Sequence, residues 1–291
     1  MKQSAALVLS GGAARGLAHI GVIEELEKQG FEIKSIAGNS MGAYIAAVYG
    51  LGKLNEYKDW ILNLENKDIF KLIDFTFSSQ GLIKGDKILN KMKSFIPDKN
   101  IENLTIPYAA VAADLTNMKE VVFTEGSIYD AVRSSISIPT IFTPFKTENS
   151  MMVDGGIVNP IPLNRVKRTE DDILIASYVN ADITYERIKT SEGKNNIGYK
   201  QKIKIFKKNL NKIIPKKNEN RLNYFTLLNK STSLLTHSLS IMNIEKYKPD
   251  MLINISRYSA GTFDFFKAEE LIEAGRLAAK ESINNYKNNL K

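Results

Sequence analysis

The chain contains no cysteine. Disulfide bonds, thiolate metal sites and a cysteine nucleophile are therefore excluded, and a reducing compartment is the natural setting. Histidine is almost as scarce. His19 and His237 are the only two, so any chemistry that needs an imidazole must draw on one of them. Long apolar runs are missing as well: no window approaches the roughly 18 residues of a membrane-spanning helix. The apolar run at 5–9 falls short of the about 7–15 residues of a signal-peptide core and leads into a glycine loop. It reads as a first strand, and the expected location is the cytoplasm. The charge balance lacks an acidic excess: 40 Lys and Arg against 32 Asp and Glu give +8. That excess is local. Residues 189–221 hold eleven Lys and Arg against Glu192 and Glu219, so the rest of the chain is close to neutral.

What is present is ordinary for a globular protein. With 291 residues, 43% of them hydrophobic and 25% charged, the chain can bury a sizeable core without disulfides or metal. "AALVL" at 5–9 is apolar on both sides, as a buried strand is. In "LAHIGVIEELEKQG" the apolar residues follow helical spacing, and Gly30 marks a stop. "IKSIAG" at 33–38 is a second strand and "AYIAAVYG" at 43–50 an alanine-rich helix. Strand, helix, strand and helix within 50 residues imply βαβ units and a parallel sheet. Residues 53–100 read as mostly helical. Further strands are expected at 108–115, 120–126, 151–154, 172–179 and 251–256. Ser127 is a helix N-cap with Asp130 three positions on, and its helix must stop before Pro139. A helical pattern runs from 222 to 244, and an amphipathic helix at 267–290 closes the chain. No internal repeat or linker stands out, which predicts one α/β domain over 1–291. Its core motifs lie in 5–180, a variable basic and helical lid-like region in 181–246, and a closing strand and helix in 247–291.

Two glycine motifs follow the first two strands. "SGGAARG" places Gly11, Gly12 and Gly16 between a strand and a helix. A dinucleotide site has that setting, but Ala13 breaks the G-x-G. No acidic ribose ligand stands about 20 residues on, where Gly38 and Asn39 lie. The other reading is an anion hole, for a phosphate or for the oxyanion of acyl transfer. Glycine lets backbone N–H groups approach a ligand, a helix N-terminus adds positive potential, and Arg15 orients the loop or reinforces its field. The second motif, Gly38-Asn39-Ser40-Met41-Gly42, has the strand-to-helix context of a nucleophile elbow. Two adjacent parallel strands put both loops at one sheet edge. Gly11 and Gly12 are then expected to face Ser40.

A serine nucleophile needs a proton acceptor. The order Ser40, Asp154, His237 is that of an α/β-hydrolase triad. However, Ser40 follows only the second strand, and His237 sits within a helical pattern. His19 reads as a structural hydrogen-bonding residue in the first helix. "MMVDGG" instead puts Asp154 at a strand end beside Gly155 and Gly156, where other groups can come close. A carboxylate is a weak base at its ordinary pKa, and partial desolvation raises it. Asp114 and Asp172 lack this glycine setting.

Four blocks, "LVLSGGAARGLAHIGVIEELEKQG", "IAGNSMGAYIAAVYG", "AVRSSISIPTIFTPF" and "VDGGIVNPIPL", together resemble the patatin-like phospholipase family, nearest to its bacterial, RssA-like branch. The match covers roughly residues 5–180. The resemblance implies a three-layer α/β/α fold with a mainly parallel central sheet. It implies a serine lipid acyl hydrolase that works with a Ser–Asp dyad and without cofactor or metal. Ser40 takes the place of the nucleophile and Asp154 of the proton acceptor. Gly11, Gly12, Ala13 and Arg15 take the place of the oxyanion loop, with Gly16, Gly38, Gly42, Gly155 and Gly156 as motif glycines. Ala13 departs from the third glycine of many relatives but keeps its N–H. A lipid or acyl ester is the expected substrate. The alternative is a non-catalytic lipid-binding or regulatory protein that retains the fold.

The basic segment carries Ile203, Phe206, Leu210 and Ile213 at helical spacing with lysines between. A basic amphipathic helix over 200–217 would lie on an anionic membrane, which places the protein at the inner membrane surface. The competing reading is a lid with a solvated lysine face. No nucleic-acid motif is present.

Overall fold

The computed structural model describes residues 2–64, 75–78, 81–83, 86–139, 141–188 and 224–289. The basic segment at 200–217 lies outside the described residues. Strand β1 (Gln3–Leu9) leads through a short 3-10 turn into α1 (Ala18–Lys28), β2 (Phe31–Asn39) and α2 (Met41–Gly50). Then come α3 (Leu54–Leu62), β3 (Phe75–Ser78), β4 (Gly81–Ile83), α4 (Asp86–Lys93), β5 (Tyr108–Asp114) and β6 (Lys119–Phe123). The chain continues with α5 (Ile128–Ser135), β7 (Phe145–Lys146), β8 (Met151–Asp154) and β9 (Ile173–Ala181). It ends with α6 (Tyr224–Tyr247), β10 (Met251–Ser256) and α7 (Ala268–Asn289).

Eight strands form one sheet in the order β10-β9-β1-β2-β5-β8-β7, with β6 also paired to β5. The five strands from β10 to β5 run parallel, and β6, β7 and β8 add antiparallel pairs at one end. The alternation of β1 explains the layers. Ala5, Leu7 and Leu9 join α1, α2 and α7 on one face, while Ala6 and Val8 join Ile161, Leu163 and, from α6, Ile244 and Tyr247 on the other. All five of these β1 residues are fully buried, which is why the strand reads as a continuous apolar run. Helix α7 is clamped to α1 by two glycines. A Cβ on Gly21 would stand 1.9 Å from the Ile272 carbonyl oxygen, and one on Gly275 would stand 1.9 Å from that of Ala18.

Gly30, at φ +88°, closes α1. The Ser127 hydroxyl caps α5 by accepting the Asp130 N–H at 3.1 Å. One expectation needs correction. Among the described residues of 53–100, the helices α3 and α4 are joined by an antiparallel hairpin of β3 and β4 that stands apart from the main sheet and was not expected. The "FTFSSQGLI" stretch carries the reason: aromatic and β-branched residues on either side of a Ser-Ser-Gln-Gly turn favour a hairpin.

Candidate active site

The bend from β2 into α2 places Ser40. Its backbone sits at φ +54°, ψ −127°, a strained conformation that a non-glycine residue holds only when its surroundings enforce it. The flanking glycines do the enforcing through their small size. A Cβ on Gly38 would lie 2.4 Å from the Gly42 carbonyl carbon, and one on Gly42 would lie 2.3 Å from the Leu9 carbonyl oxygen. Helix α2 is thereby pressed onto the ends of β1 and β2. The Ser40 N–H donates to the Ser135 hydroxyl at 2.8 Å, and that hydroxyl donates to the Val111 carbonyl at 2.6 Å.

Strand pairing brings Asp154 to this bend. Along β5, Val111 pairs with Asn39 of β2, and the next residue, Ala112, pairs with Asp154 of β8. Strand β6 occupies one edge of β5 over residues 110–114. Strands β2 and β8 therefore meet end to end along the opposite edge. The last residue of β2 and the last of β8 come together although 115 positions separate them in sequence. Gly155 makes the junction possible, since a Cβ there would stand 2.4 Å from the Val111 carbonyl oxygen. The Asp154 carboxyl is fully enclosed. It accepts a hydrogen bond from the Gly156 N–H at 2.8 Å, and the Ser40 hydroxyl and the Asn39 side chain beside it favour its ionised form. Burial pushes its pKa up to about 6, and these three groups hold it from rising further.

The glycine loop after β1 stands beside Ser40 with its donors sorted. The Gly11 N–H is committed to the Pro160 carbonyl at 3.1 Å. This corrects the expectation that Gly11 presents a donor to Ser40. Its contribution is its size, because a Cβ there would stand 2.6 Å from the Asn39 amide nitrogen and 3.2 Å from the Ser40 Cβ. The N–H groups of Gly12 and Ala13 donate to no described residue, and Ala13 adopts φ +48°. Ala13 and Ser40 line the same cavity. Gly16 lets the 3-10 turn pack on Met41, whose Cγ would be 2.5 Å from an added Cβ. Arg15 braces the loop from behind. Its guanidinium donates to the Ala260 carbonyl at 2.8 Å and to the Asn180 Oδ1 at 2.7 and 3.1 Å, while the Asn180 amide donates to the Gly11 carbonyl at 2.6 Å.

Neither histidine contacts this pair. His19 is fully buried, with its ring between the Ser177 hydroxyl at 2.8 Å and the Ser10 carbonyl at 2.9 Å. Burial lowers its pKa to about 4, so it is neutral at neutral pH. His237 meets the Tyr178 hydroxyl at 3.0 Å. The other aspartates are also occupied. Asp114 is held well below the usual carboxylate range by the Asn117 side chain, Ser150 and nearby backbone N–H groups. Asp172 is bound by Arg168 and Thr169. Sequence reasoning missed three supports. Asn39 lies at the junction of β2 and β8, Ser135 fixes the Ser40 backbone, and Asn180 couples Arg15 to Gly11. A polar residue inside an apolar stretch ("SIAGNS", "AVRSSIS", "ASYVNA") was the signal available for each.

The cavity at Ser40 measures about 130 Å³. Tyr57, Trp60 and Ile61 of α3, Met92 of α4, and Ile138 and Phe142 after α5 build most of its wall. Ser40, Lys91 and Thr262 are among its few polar neighbours. An apolar chamber thus ends at a strained serine, with a buried carboxyl beside it and two N–H groups nearby that donate to no described residue.

Residues 7–166 match the model of the patatin-like phospholipase family, and the chain belongs to that family. It is similar to an uncharacterised NTE family protein of Mycobacterium tuberculosis, at 39% identity over 175 residues that cover 60% of this chain and 49% of the relative. It is also similar to patatin-like phospholipase domain-containing protein 7 of Rattus norvegicus, at 27% identity over 59% of this chain and 13% of that protein. The matches thus span half or less of these relatives' length. Among solved structures, VipD of Legionella pneumophila aligns with 98% of this chain and 67% of its own at a TM-score of 0.49 and 14% identity.

Proposed function

We propose that the protein is a serine lipid acyl hydrolase of the phospholipase A, lysophospholipase or esterase type, working through Ser40 and Asp154. The observation that carries this reading is the junction of β2 and β8. There a hydroxyl on a strained elbow stands beside a desolvated carboxyl whose pKa is pushed up to about 6, at the end of an apolar cavity. The acyl chain lies along α3 and α4 with its ester carbonyl at Ser40. The Ser40 oxygen attacks the carbonyl carbon while its proton passes to Asp154. A base with a pKa nearer the working pH accepts that proton more readily than an ordinary aspartate. The N–H groups of Gly12 and Ala13 receive the oxyanion, and Arg15 and Asn180 keep their loop in place. The tetrahedral adduct collapses, and the leaving alcohol departs with the proton from Asp154. Water then attacks the acyl-enzyme as Asp154 takes its proton; the Ser40–acyl bond breaks, the acid leaves, and the proton returns from Asp154 to the Ser40 oxygen, which restores both groups. No step draws on a metal or cofactor. The basic segment at 200–217 carries the protein to an anionic membrane.

Fluorophosphonate labelling tests the reading directly. One covalent adduct is expected at Ser40, with none in Ser40→Ala. Labelling that persists in Ser40→Ala, or its absence from the native protein, overturns the proposal in favour of a non-catalytic lipid-binding role.

A further inference from the structure

Asn39 is the last residue of β2 and is buried. It stands two positions after Ala37, whose side chain joins Ile161 and Leu163 on the α6 face of the sheet. Alternation along the strand turns Asn39 to that face as well, into the junction with β8. Three of the motif glycines close around its amide. A Cβ on Gly11 would stand 2.6 Å from the amide nitrogen, one on Gly155 2.7 Å from Oδ1, and one on Gly156 3.2 Å from the amide nitrogen. Two loops distant in sequence thus leave a cradle that the Asn39 side chain fills.

Packing alone does not account for an asparagine in that cradle. Its Oδ1 is buried and has no hydrogen-bond partner. A buried carbonyl left unpaired is destabilising, and an apolar side chain would avoid that loss. The amide nitrogen supplies the reason. It converges with the Asp154 Oδ1 on Gly156, where the same added Cβ would lie 3.0 Å from that oxygen. The orientation is the one that chemistry requires, since Oδ1 turned the other way would face the carboxylate. Three uncharged groups favour the ionised carboxyl: the Ser40 hydroxyl, the Gly156 N–H and the Asn39 side chain. In the proposed reaction the Ser40 hydroxyl gives up its proton and is esterified in the acyl-enzyme, so only the other two remain. Charged and titratable side chains on the neighbouring elements are engaged elsewhere. Arg133 of α5 binds Ser137 and the Thr143 carbonyl, Asp114 of β5 accepts from Asn117 and Ser150, and His237 of α6 meets Tyr178.

We propose that Asn39 is a positioning residue, whose amide holds the Asp154 carboxylate toward Ser40 during acyl transfer and toward water in the acyl-enzyme. The inference rests on the Ser40–Asp154 reading above. The amide itself exchanges no proton. It acts through the carboxylate, and its effect is therefore read in the pH dependence of the reaction.

The test is the pH profile of kcat/KM for a chromogenic short-chain ester in the native protein, Asn39→Ala and Asn39→Asp, with circular dichroism as the check on folding. The native rate should rise as Asp154 ionises. Asn39→Ala removes the donor, and its midpoint should move up by about one pH unit. Asn39→Asp keeps the shape but puts a second carboxylate in the cradle, so its midpoint should move up further. KM should stay close to native in both. A folded Asn39→Ala or Asn39→Asp protein with the native midpoint overturns the proposal and assigns Asn39 to packing alone. If one variant does not fold, the other decides; loss of folding in both also overturns the proposal. Native protein that neither hydrolyses the ester nor takes a fluorophosphonate at Ser40 defeats the Ser40–Asp154 reading itself, whereas native activity with unmoved midpoints defeats this inference alone.

Discussion

Replacing Asp154 by Asn should make the protein more stable and nearly inactive. The carboxyl sits in an enclosed junction that pushes its pKa from 3.8 up to about 6, chiefly by desolvation. Each pKa unit corresponds to about 1.4 kcal/mol, so the ionised form costs the folded state about 3 kcal/mol relative to the unfolded chain. The direction follows from where protons bind. Below pH 3.8 the group is protonated in both states, and there is no penalty. Between 3.8 and about 6 only the unfolded chain ionises, so stability falls as pH rises. Above that range both forms are ionised, and the penalty is constant. Asparagine keeps an acceptor for the Gly156 N–H and the Ser40 hydroxyl without that penalty. At about pH 7.5 Asp154→Asn should therefore melt roughly 5–10 °C above the native protein. The advantage should shrink to about a third of that in free energy near pH 4.5. Ester hydrolysis should fall by about 10²–10⁴ as the proton acceptor is lost. Thermal denaturation at the two pH values and a chromogenic short-chain ester are sufficient assays. A variant no more stable than the native protein at neutral pH, or with an advantage that does not shrink on acidification, refutes the desolvated-carboxyl argument.

Four further outcomes are expected. Ser135→Ala strips partners from the Ser40 N–H and the Val111 carbonyl. It should cost about 1–3 kcal/mol in denaturant titration and slow fluorophosphonate labelling. Gly42→Ala forces a methyl group to within 2.3 Å of the Leu9 carbonyl oxygen, so α2 must lift from β1; a soluble variant that labels at the native rate contradicts the packed elbow. His19, held to a pKa of about 4 by burial, is neutral in the fold and protonates first in the unfolded chain. Native stability should therefore drop by about 3 kcal/mol as pH falls from 6.5 to 4, and His19→Gln should flatten that slope in pH-dependent melting. Neutralising Lys202, Lys204, Lys207, Lys208 and Lys212 should abolish binding to anionic vesicles while leaving hydrolysis of a water-soluble ester intact.

Much of the site was legible because its chemistry sits in local turns. The glycines around Ser40 and after Asp154 are short-range features, each tied to a strand end, and the strands themselves are apolar runs. The hairpin β3–β4 was hidden by the helical tone of the residues around it. The commitment of the Gly11 N–H was equally invisible, because its acceptor, Pro160, lies 149 positions away.

From the order of residues alone came the βαβ start, the serine elbow, the exclusion of cysteine chemistry and the choice of Asp154 over His237. These follow from local conformational preference and from the residue types available. Tertiary structure decided the rest. The shared edge of β5 joined β2 to β8, burial around that junction raised the Asp154 pKa, and the Gly11 N–H was taken up by Pro160 while those of Gly12 and Ala13 donate to no described residue. The setting of Asn39 was also settled only by packing. Its place at the end of β2 is local, but Gly11, Gly155 and Gly156, which close around its amide, come from loops distant in the chain.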